Sequence, residues 1–259
     1  MFVEERQSAI LKLLKREKTL LVPQLCDYFH VSSATIRNDL NELEAKGLLK
    51  RTHGGCMLGT RAGFEQQIDQ RMTVQNDEKQ AIGRLAATLV EDGDTIAIDT
   101  GTTAQIFAAQ LTEKHHLTVV TTDMRIAAML EEKTDAAVIL AGGTVRHGYH
   151  CTIGPMTVIC LSQLRVDKCF MAANGITAEH GLSTPDLQQA DIKRRMIAMA
   201  GQVICLCDSS KIGSDSFVNF APIDSIQTLV TDSGIDKAEA ARFTAAGVEI
   251  HIAVAENLS

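Results

Sequence analysis

The sequence predicts an α/β protein in two parts: an N-terminal winged helix-turn-helix and a larger, mostly parallel α/β domain. Three observations carry this expectation. Residues 31–55 read VSSATIRNDLNELEAKGLLKRTHGG, a capped amphipathic helix running into a short basic hairpin. From Glu78 onward, short β-type runs alternate with helical stretches. Those runs are apolar at nearly every position, the pattern of strands covered on both faces.

The head is read in chain order. Residues 4–18 place Ile10, Leu11, Leu13 and Leu14 in a helical rhythm, and residues 22–30 form a second short helix with Leu25 and Phe29. Ser32 suits an N-cap, because its hydroxyl can accept from a free N–H of the first turn. Ile36, Leu40 and Leu43 follow at spacings of four and three and share one face. Ala34, Thr35, Asn38 and Asn41 lie toward the other face, with Arg37 on its flank. Asn can bond adenine in a bidentate way, Arg can bond guanine or phosphate, and small methyls can touch thymine. Gly47 is a natural C-cap, residues 48–51 read as a strand and Gly54-Gly55 as its turn. Ser32, Ser33, Thr35, Arg37, Asn38, Asn41, Arg51 and His53 are the candidate contacts to double-stranded operator DNA. A plain helical interaction module would explain the polar face alone, but not the turn, cap and basic wing together.

Charge agrees once the chain is divided. The whole chain carries a net −7, yet residues 1–61 hold 10 Lys+Arg against 7 Asp+Glu. A mildly basic head on an acidic body localises DNA affinity to the head. One such head binds weakly, so heads are expected in pairs, in a homo-oligomer (dimer or tetramer) held by the body. The seven cysteines lack C-x-x-C spacing and read as buried reduced thiols of a cytoplasmic protein, with a redox sensor as the lesser alternative. No signal peptide and no apolar run of the roughly 18 residues that span a bilayer is read here. The eight histidines show no metal-ligand spacing, and a lone glycine in Asp99–Thr103 does not make a dinucleotide fingerprint. No metal or cofactor is expected.

Three segments follow: 1–57 as the DNA-binding domain, 58–77 as a linker with room for one helical turn, and 78–254 as the sensor and oligomerisation domain. Within the last, strands are expected at 95–99, 118–121, 137–141, 168–172, 203–207, 228–231 and 248–253. Helices are expected at 78–90, 102–111, 123–132, 155–164, 187–200 and 236–246. Sheets of this kind bind ligands beyond the carboxyl ends of their strands, so the loops there are the candidate site. Asp99, Gly101, Thr102 and Thr103 open a helix after the first strand, which suits a phosphate. Thr122 follows the second strand, and its hydroxyl could hold a sugar or cap a helix. Gly143 and Arg146 bring a flexible turn and a fixed cation, and Lys211 a point charge after Asp208-Ser209-Ser210.

These residues resemble the DeoR family of bacterial transcriptional regulators over nearly the whole chain. Val31–Gly55 fits its V-S-x-A-T-I-R-x-D-L…H-G-G pattern, Asp99–Thr103 its D-x-G-T-T element, Gly142–Arg146 its G-G-x-x-R element and Asp208–Lys211 its D-S-S-K element. The resemblance implies a sensor domain of the ribose-phosphate isomerase fold. It implies a repressor of carbohydrate uptake or catabolism genes, relieved by a phosphorylated sugar effector. It places Asp99, Gly101, Thr102, Thr103, Arg146, Lys193 and Lys211 at the effector site. Two departures stand out: Arg37-Asn38-Asp39 where the family often has Arg-Arg-Asp, and Gln189-Ala190-Asp191 where it often has Glu-Ala-Glu. The main rival is a sugar-phosphate isomerase with an appended head. That enzyme needs a carboxylate to move a proton, and Asn174 and Gln189 stand where isomerases of this fold carry acids.

Overall fold

The computed structural model describes residues 2–17, 19–45, 48–52, 54–58, 65, 68–72 and 74–255. The chain divides into two compact units, Met1–Gln66 and Gln67–Ser259. Among the described residues no helix is long and apolar enough to cross a membrane.

The first unit runs α1 (Val3–Glu17), β1 (Thr19–Leu21), α2 (Val22–Phe29), α3 (Ser33–Ala45), β2 (Leu49–Thr52) and β3 (Gly55–Leu58). Ile10, Leu14, Leu25, Ile36, Leu40 and Leu43 form its core. The strands make one antiparallel sheet in the order β1-β3-β2. Strand β1 is only three residues long, too short to show a period in the sequence. His30, with φ 54°, ends α2 in the left-handed region and donates its N–H to the Cys26 carbonyl, which forms the turn. At Gly55 a Cβ would lie 2.2 Å from the Leu20 carbonyl oxygen, so only glycine lets β3 approach β1 this closely. The expected cap Gly47 and the candidate contact His53 lie outside the described residues.

Asp39, in the middle of α3, points inward. Its carboxylate accepts from Arg6 Nε at 2.6 Å and Nη2 at 3.1 Å, and both side chains are buried. This bidentate pair locks α1 to α3 and fixes which face of α3 turns outward.

The second unit opens with α4 (Ile68–Met72) and α5 (Asn76–Ala87), so part of the stretch expected as linker is helical. There follow β4 (Thr95–Ile98), α6 (Thr102–Ala108), β5 (Thr118–Thr121), α7 (Met124–Lys133), β6 (Ala137–Leu140), β7 (Thr144–Arg146), β8 (Cys151–Ile153) and α8 (Pro155–Ser162). The remainder is β9 (Val166–Ala172), β10 (Gly175–Thr177), β11 (Gly181–Thr184), α9 (Leu187–Ala198), β12 (Ala200–Leu206), β13 (Val218–Ala221), β14 (Thr228–Asp232), α10 (Lys237–Ala245) and β15 (Glu249–Ala253).

The seven expected strands build one sheet in the order β15-β14-β12-β9-β4-β5-β6, with every neighbouring pair parallel. Alternate residues feed opposite faces, as the pleat requires. Ala97, Cys169, Met171, Val203, Cys205 and Leu229 join Ile192 and Met196 of α9 and Phe243 of α10 in one core. Ile96, Ile98, Phe170, Ile204 and Val230 join Ile82 of α5, Phe107 of α6 and Leu130 of α7 in the other. The sequence reading missed β7–β8 and the antiparallel sheet β10-β11-β13; β7, β8 and β10 have only three residues each, and none of the five strands is a continuous apolar run.

Strand order reverses between β4 and β9. From β4 the chain winds through β5 to β6; from β9 it winds through β12 and β14 to β15. The loops after β4 and β9 therefore diverge to opposite faces and leave a crevice between them. Replacing Arg6 by Ala strands a buried carboxylate in the head, at a cost of about 3 kcal/mol. Hydrogen exchange on the full chain is expected to show faster exchange in α1 and α3 with β4, β9 and β12 unchanged; equal protection in α1 and α3 would contradict the role given to this pair.

Candidate functional site

The outward face of α3 is polar and exposed. Ser32 Oγ accepts the Thr35 N–H at 3.2 Å and lies 2.9 Å from Thr35 Oγ1, which caps the helix. Ser32, Ser33, Arg37, Asn38 and Asn41 are exposed and Thr35 is half-buried, while Ile36, Asp39 and Leu40 face the core. Arg51 differs from the others. Its Nη1 donates to Asn41 Oδ1 and to the Arg37 carbonyl, and its own N–H donates to Glu44 at 2.7 Å. The guanidinium thus braces strand β2 against α3, and Asn41 keeps its amide nitrogen as a donor.

At the switch point Asp99 is fully buried. One carboxylate oxygen, Oδ2, accepts the Ala172 N–H at 3.0 Å and the Lys193 ammonium. Lys193 also donates to the Ala172 carbonyl at 2.9 Å. Lys193 was expected to meet the effector; the structure spends its charge on holding β4, β9 and α9 together. Gly101, with φ 134°, carries the chain from β4 into α6, where Thr102 and Thr103 are buried. Gln105 closes the turn on the Gly101 carbonyl at 2.9 Å.

A cation that the sequence reading did not single out lies beside this turn, and a second lies next to it. A Cβ at Gly101 would lie 3.9 Å from Arg71 Nη2, which places the α4 guanidinium beside the turn. Lys79 of α5 is buried and donates to the Arg71 and Val74 carbonyls at 2.6 Å each. Burial pulls its pKa down to about 8; Asp208 opposes that, while Lys211 and Arg71 add to it. Asp208 and Lys211 follow β12, where Asp208 caps a turn of 3-10 helix over Ser209–Lys211. Arg71 went unseen because residues 57–77 lack a period, and Lys79 because it lies on an expected helix (78–90) and not in a loop at a strand end; only the basic residue types could have flagged them.

The other predicted residues fall nearby or aside. Thr122 is fully buried and its hydroxyl has no hydrogen-bond partner among the described residues. Asp123 accepts from Thr100 Oγ1 at 2.9 Å and Gln105 Nε2 at 3.0 Å, tying the β4 and β5 loops. Arg146 donates to Asp186 at 3.2 Å and stacks 3.8 Å above the Tyr149 ring. Cys151 lies between these loops, and Gln189 Nε2 is 3.0 Å from its sulfur. Burial pushes the Cys151 thiol up to about 11, partly offset by the Thr100 hydroxyl, so it is a neutral thiol at pH 7. All seven cysteines are free. Gly143 sits against α8 instead: a Cβ there would lie 2.1 Å from Thr157 Oγ1.

Residues 6–61 match the family model described as the DeoR-like helix-turn-helix domain, and residues 74–233 that of the DeoR C terminal sensor domain. The chain is 34% identical over 253 residues to the HTH-type transcriptional regulator GolR of Listeria innocua, covering 98% of this chain and 100% of that one. It is 37% identical to the HTH-type transcriptional repressor GlcR of Bacillus subtilis, over 90% of this chain and 89% of that one. It is 33% identical to the glycerol-3-phosphate regulon repressor of Escherichia coli, over 88% and 90%. Among solved structures, ribose 5 phosphate isomerase A from Neisseria gonorrhoeae overlays on 55% of this chain and 56% of its own, with a TM-score of 0.41 and 16% identity.

Because Lys79 titrates near pH 8, an anion held beside it loses a neighbouring charge as pH rises through that value. Affinity for sulfate, whose charge is constant over this range, measured by calorimetry on the full chain, is expected to fall between pH 7 and pH 9, and Lys79→Met is expected to flatten the profile. A wild-type affinity that is level across this range would contradict the assignment.

Proposed function

This chain belongs to the DeoR family of transcriptional regulators, and on that premise we propose that it represses genes of carbohydrate uptake or catabolism until a phosphorylated sugar enters the crevice between β4 and β9. The observation that carries the effector reading is Arg71 beside the Gly101 turn, with Lys79 bonded to the Arg71 carbonyl and near enough to Lys211 for its charge to act on Lys79. Three cationic side chains and a close backbone turn suit a phosphate monoester. Asp99 and Thr122 follow β4 and β5 and Gln189 lies on α9, and all three are buried polar residues.

In this reading the body forms a homo-oligomer that sets the spacing of two or more heads, and each α3 enters a major groove through Arg37, Asn38 and Asn41. The effector favours an arrangement in which that spacing no longer fits the operator. It shifts the balance only by its difference in affinity for the two arrangements. A tenfold loss of operator affinity needs about 1.4 kcal/mol of such coupling. Catalysis finds no support: the positions that would carry a general base hold the amides Asn174 and Gln189, and the relatives are named regulators and repressors.

Arg37→Ala is expected to weaken operator binding by about tenfold or more, with the thermal midpoint and effector affinity unchanged, in anisotropy titrations at fixed salt. Lys211→Ala and Arg71→Ala are expected to bind the operator normally and to resist release by the effector. Normal release from both variants would sink the pocket assignment.

A further inference from the structure

We infer that Arg51 restricts Asn41 to donating, so that Asn41 reads a guanine–cytosine pair and not the adenine that an unrestrained asparagine bonds. This rests on the proposal that α3 enters a major groove, and it specifies what one residue of that face recognises.

Asn41 lies on the exposed face of α3, four residues beyond Arg37 and three beyond Asn38. Its side-chain oxygen accepts from Arg51 Nη1 at 2.5 Å, and the same nitrogen donates to the Arg37 carbonyl at 3.4 Å. A guanidinium carries donors only, so the amide atom turned toward it is the oxygen and the amide has one orientation. Arg51 is also held at its backbone, where its N–H donates to Glu44 Oε1 at 2.7 Å. Strand β2 thus delivers a cation to a fixed place on α3. The Asn41 amide nitrogen has no partner among the described residues. Asn38 differs: it is exposed, and neither end of its amide is bonded among the described residues.

The chemistry of the base edges then selects the target. Adenine offers N7 as an acceptor and its amino group as a donor, and asparagine reads it by giving one hydrogen bond and taking another. Asn41 has the bond to give, but its acceptor is engaged by a cation. That oxygen has a second lone pair, yet an adenine amino group placed there would set its hydrogens against those of the guanidinium. The cytosine amino group meets the same obstacle. Guanine presents N7 and O6, two adjacent acceptors. The Asn41 N–H groups donate to this edge, and the positive charge of Arg51 beside them favours it. Thymine offers a single acceptor next to a methyl group, a poorer match. Arg51 is a positioning residue in this scheme, since it acts on the base through Asn41. Asn38, with both amide ends free, keeps the adenine option that Asn41 has lost.

The test begins with an operator selected from randomised duplexes by the wild-type full chain. Each base pair is then varied in anisotropy titrations at fixed salt. The pair whose preference disappears in Asn41→Ala is expected to be guanine–cytosine, favoured by about fivefold or more over adenine–thymine. Arg51→Met frees the Asn41 oxygen and is expected to move the preference at that pair toward adenine–thymine, with the other pairs read as before. A purely structural role for Arg51 would instead weaken all sequences alike. Should Arg51→Met fail to fold, Asn41→Asp decides: it keeps an acceptor for Arg51, removes only the donor, and is expected to abolish the guanine preference with the thermal midpoint unchanged. An adenine–thymine preference at the Asn41-dependent pair overturns the inference. So does an Asn41→Ala variant that loses affinity evenly with no base preference altered, or a guanine preference that survives Arg51→Met or Asn41→Asp. Each of these results leaves the operator-binding reading standing. Failure to select any operator removes both.

Discussion

The buried pair of Asp99 and Lys193 is the constraint on which the sensor unit is arranged. It stands where strand order reverses, between β4 and β9, so it sits in the one crevice that the winding of the sheet opens. Lys193 bonds Asp99 Oδ2 and the Ala172 carbonyl, while the Ala172 N–H bonds the same Oδ2. One carboxylate oxygen is consumed by structure, and the other has no hydrogen-bond partner among the described residues. A buried charge pair of this kind adds little net stability over an apolar substitute, but losing one partner is severe. Its contribution is therefore orientation. It fixes the β4 turn against α9, and with it the places of Gly101, Thr102 and Gln189.

The parallel sheet was legible because its strands are four to seven residues long and apolar on both faces. A run such as Val203–Leu206, buried throughout, leaves few alternatives, whereas the equally apolar Ala137–Leu140 is an exposed edge strand. The recognition helix was legible for a different reason: Ser32, Ile36, Leu40 and Leu43 combine a cap with a helical period. What escaped was short or aperiodic. The strands β1, β7, β10 and β11 carry three or four residues each. Arg71 and Lys79 reach the crevice from α4 and α5, far from any strand end in sequence, so loop motifs could not find them.

Residue roles were less legible than residue positions. Lys193 was placed at the effector site and Arg51 among the DNA contacts, and both are engaged within the fold, one on Asp99 and the other on Asn41 and the Arg37 carbonyl. Gly143 was singled out for flexibility, yet its lack of a side chain makes room for Thr157. Sequence patterns report that a cation or a glycine is wanted at a position. Whether it meets a ligand or a neighbouring strand depends on packing that a single sequence does not encode locally. Asp39 illustrates the converse: an acid in the middle of an amphipathic helix is explained only by its inward pairing with Arg6.

The central claim is that one polypeptide joins a DNA-reading head to a pocket whose small anion controls it. The most direct measurement is an anisotropy titration of the full chain on an operator selected from genomic duplexes, repeated with each sugar phosphate and its unphosphorylated parent. The account predicts that at least one phosphorylated compound weakens operator binding by about tenfold or more, which requires about 1.4 kcal/mol of coupling, while its parent sugar leaves binding unchanged. Operator binding indifferent to every phosphorylated compound, or equally sensitive to the free sugars, would contradict it.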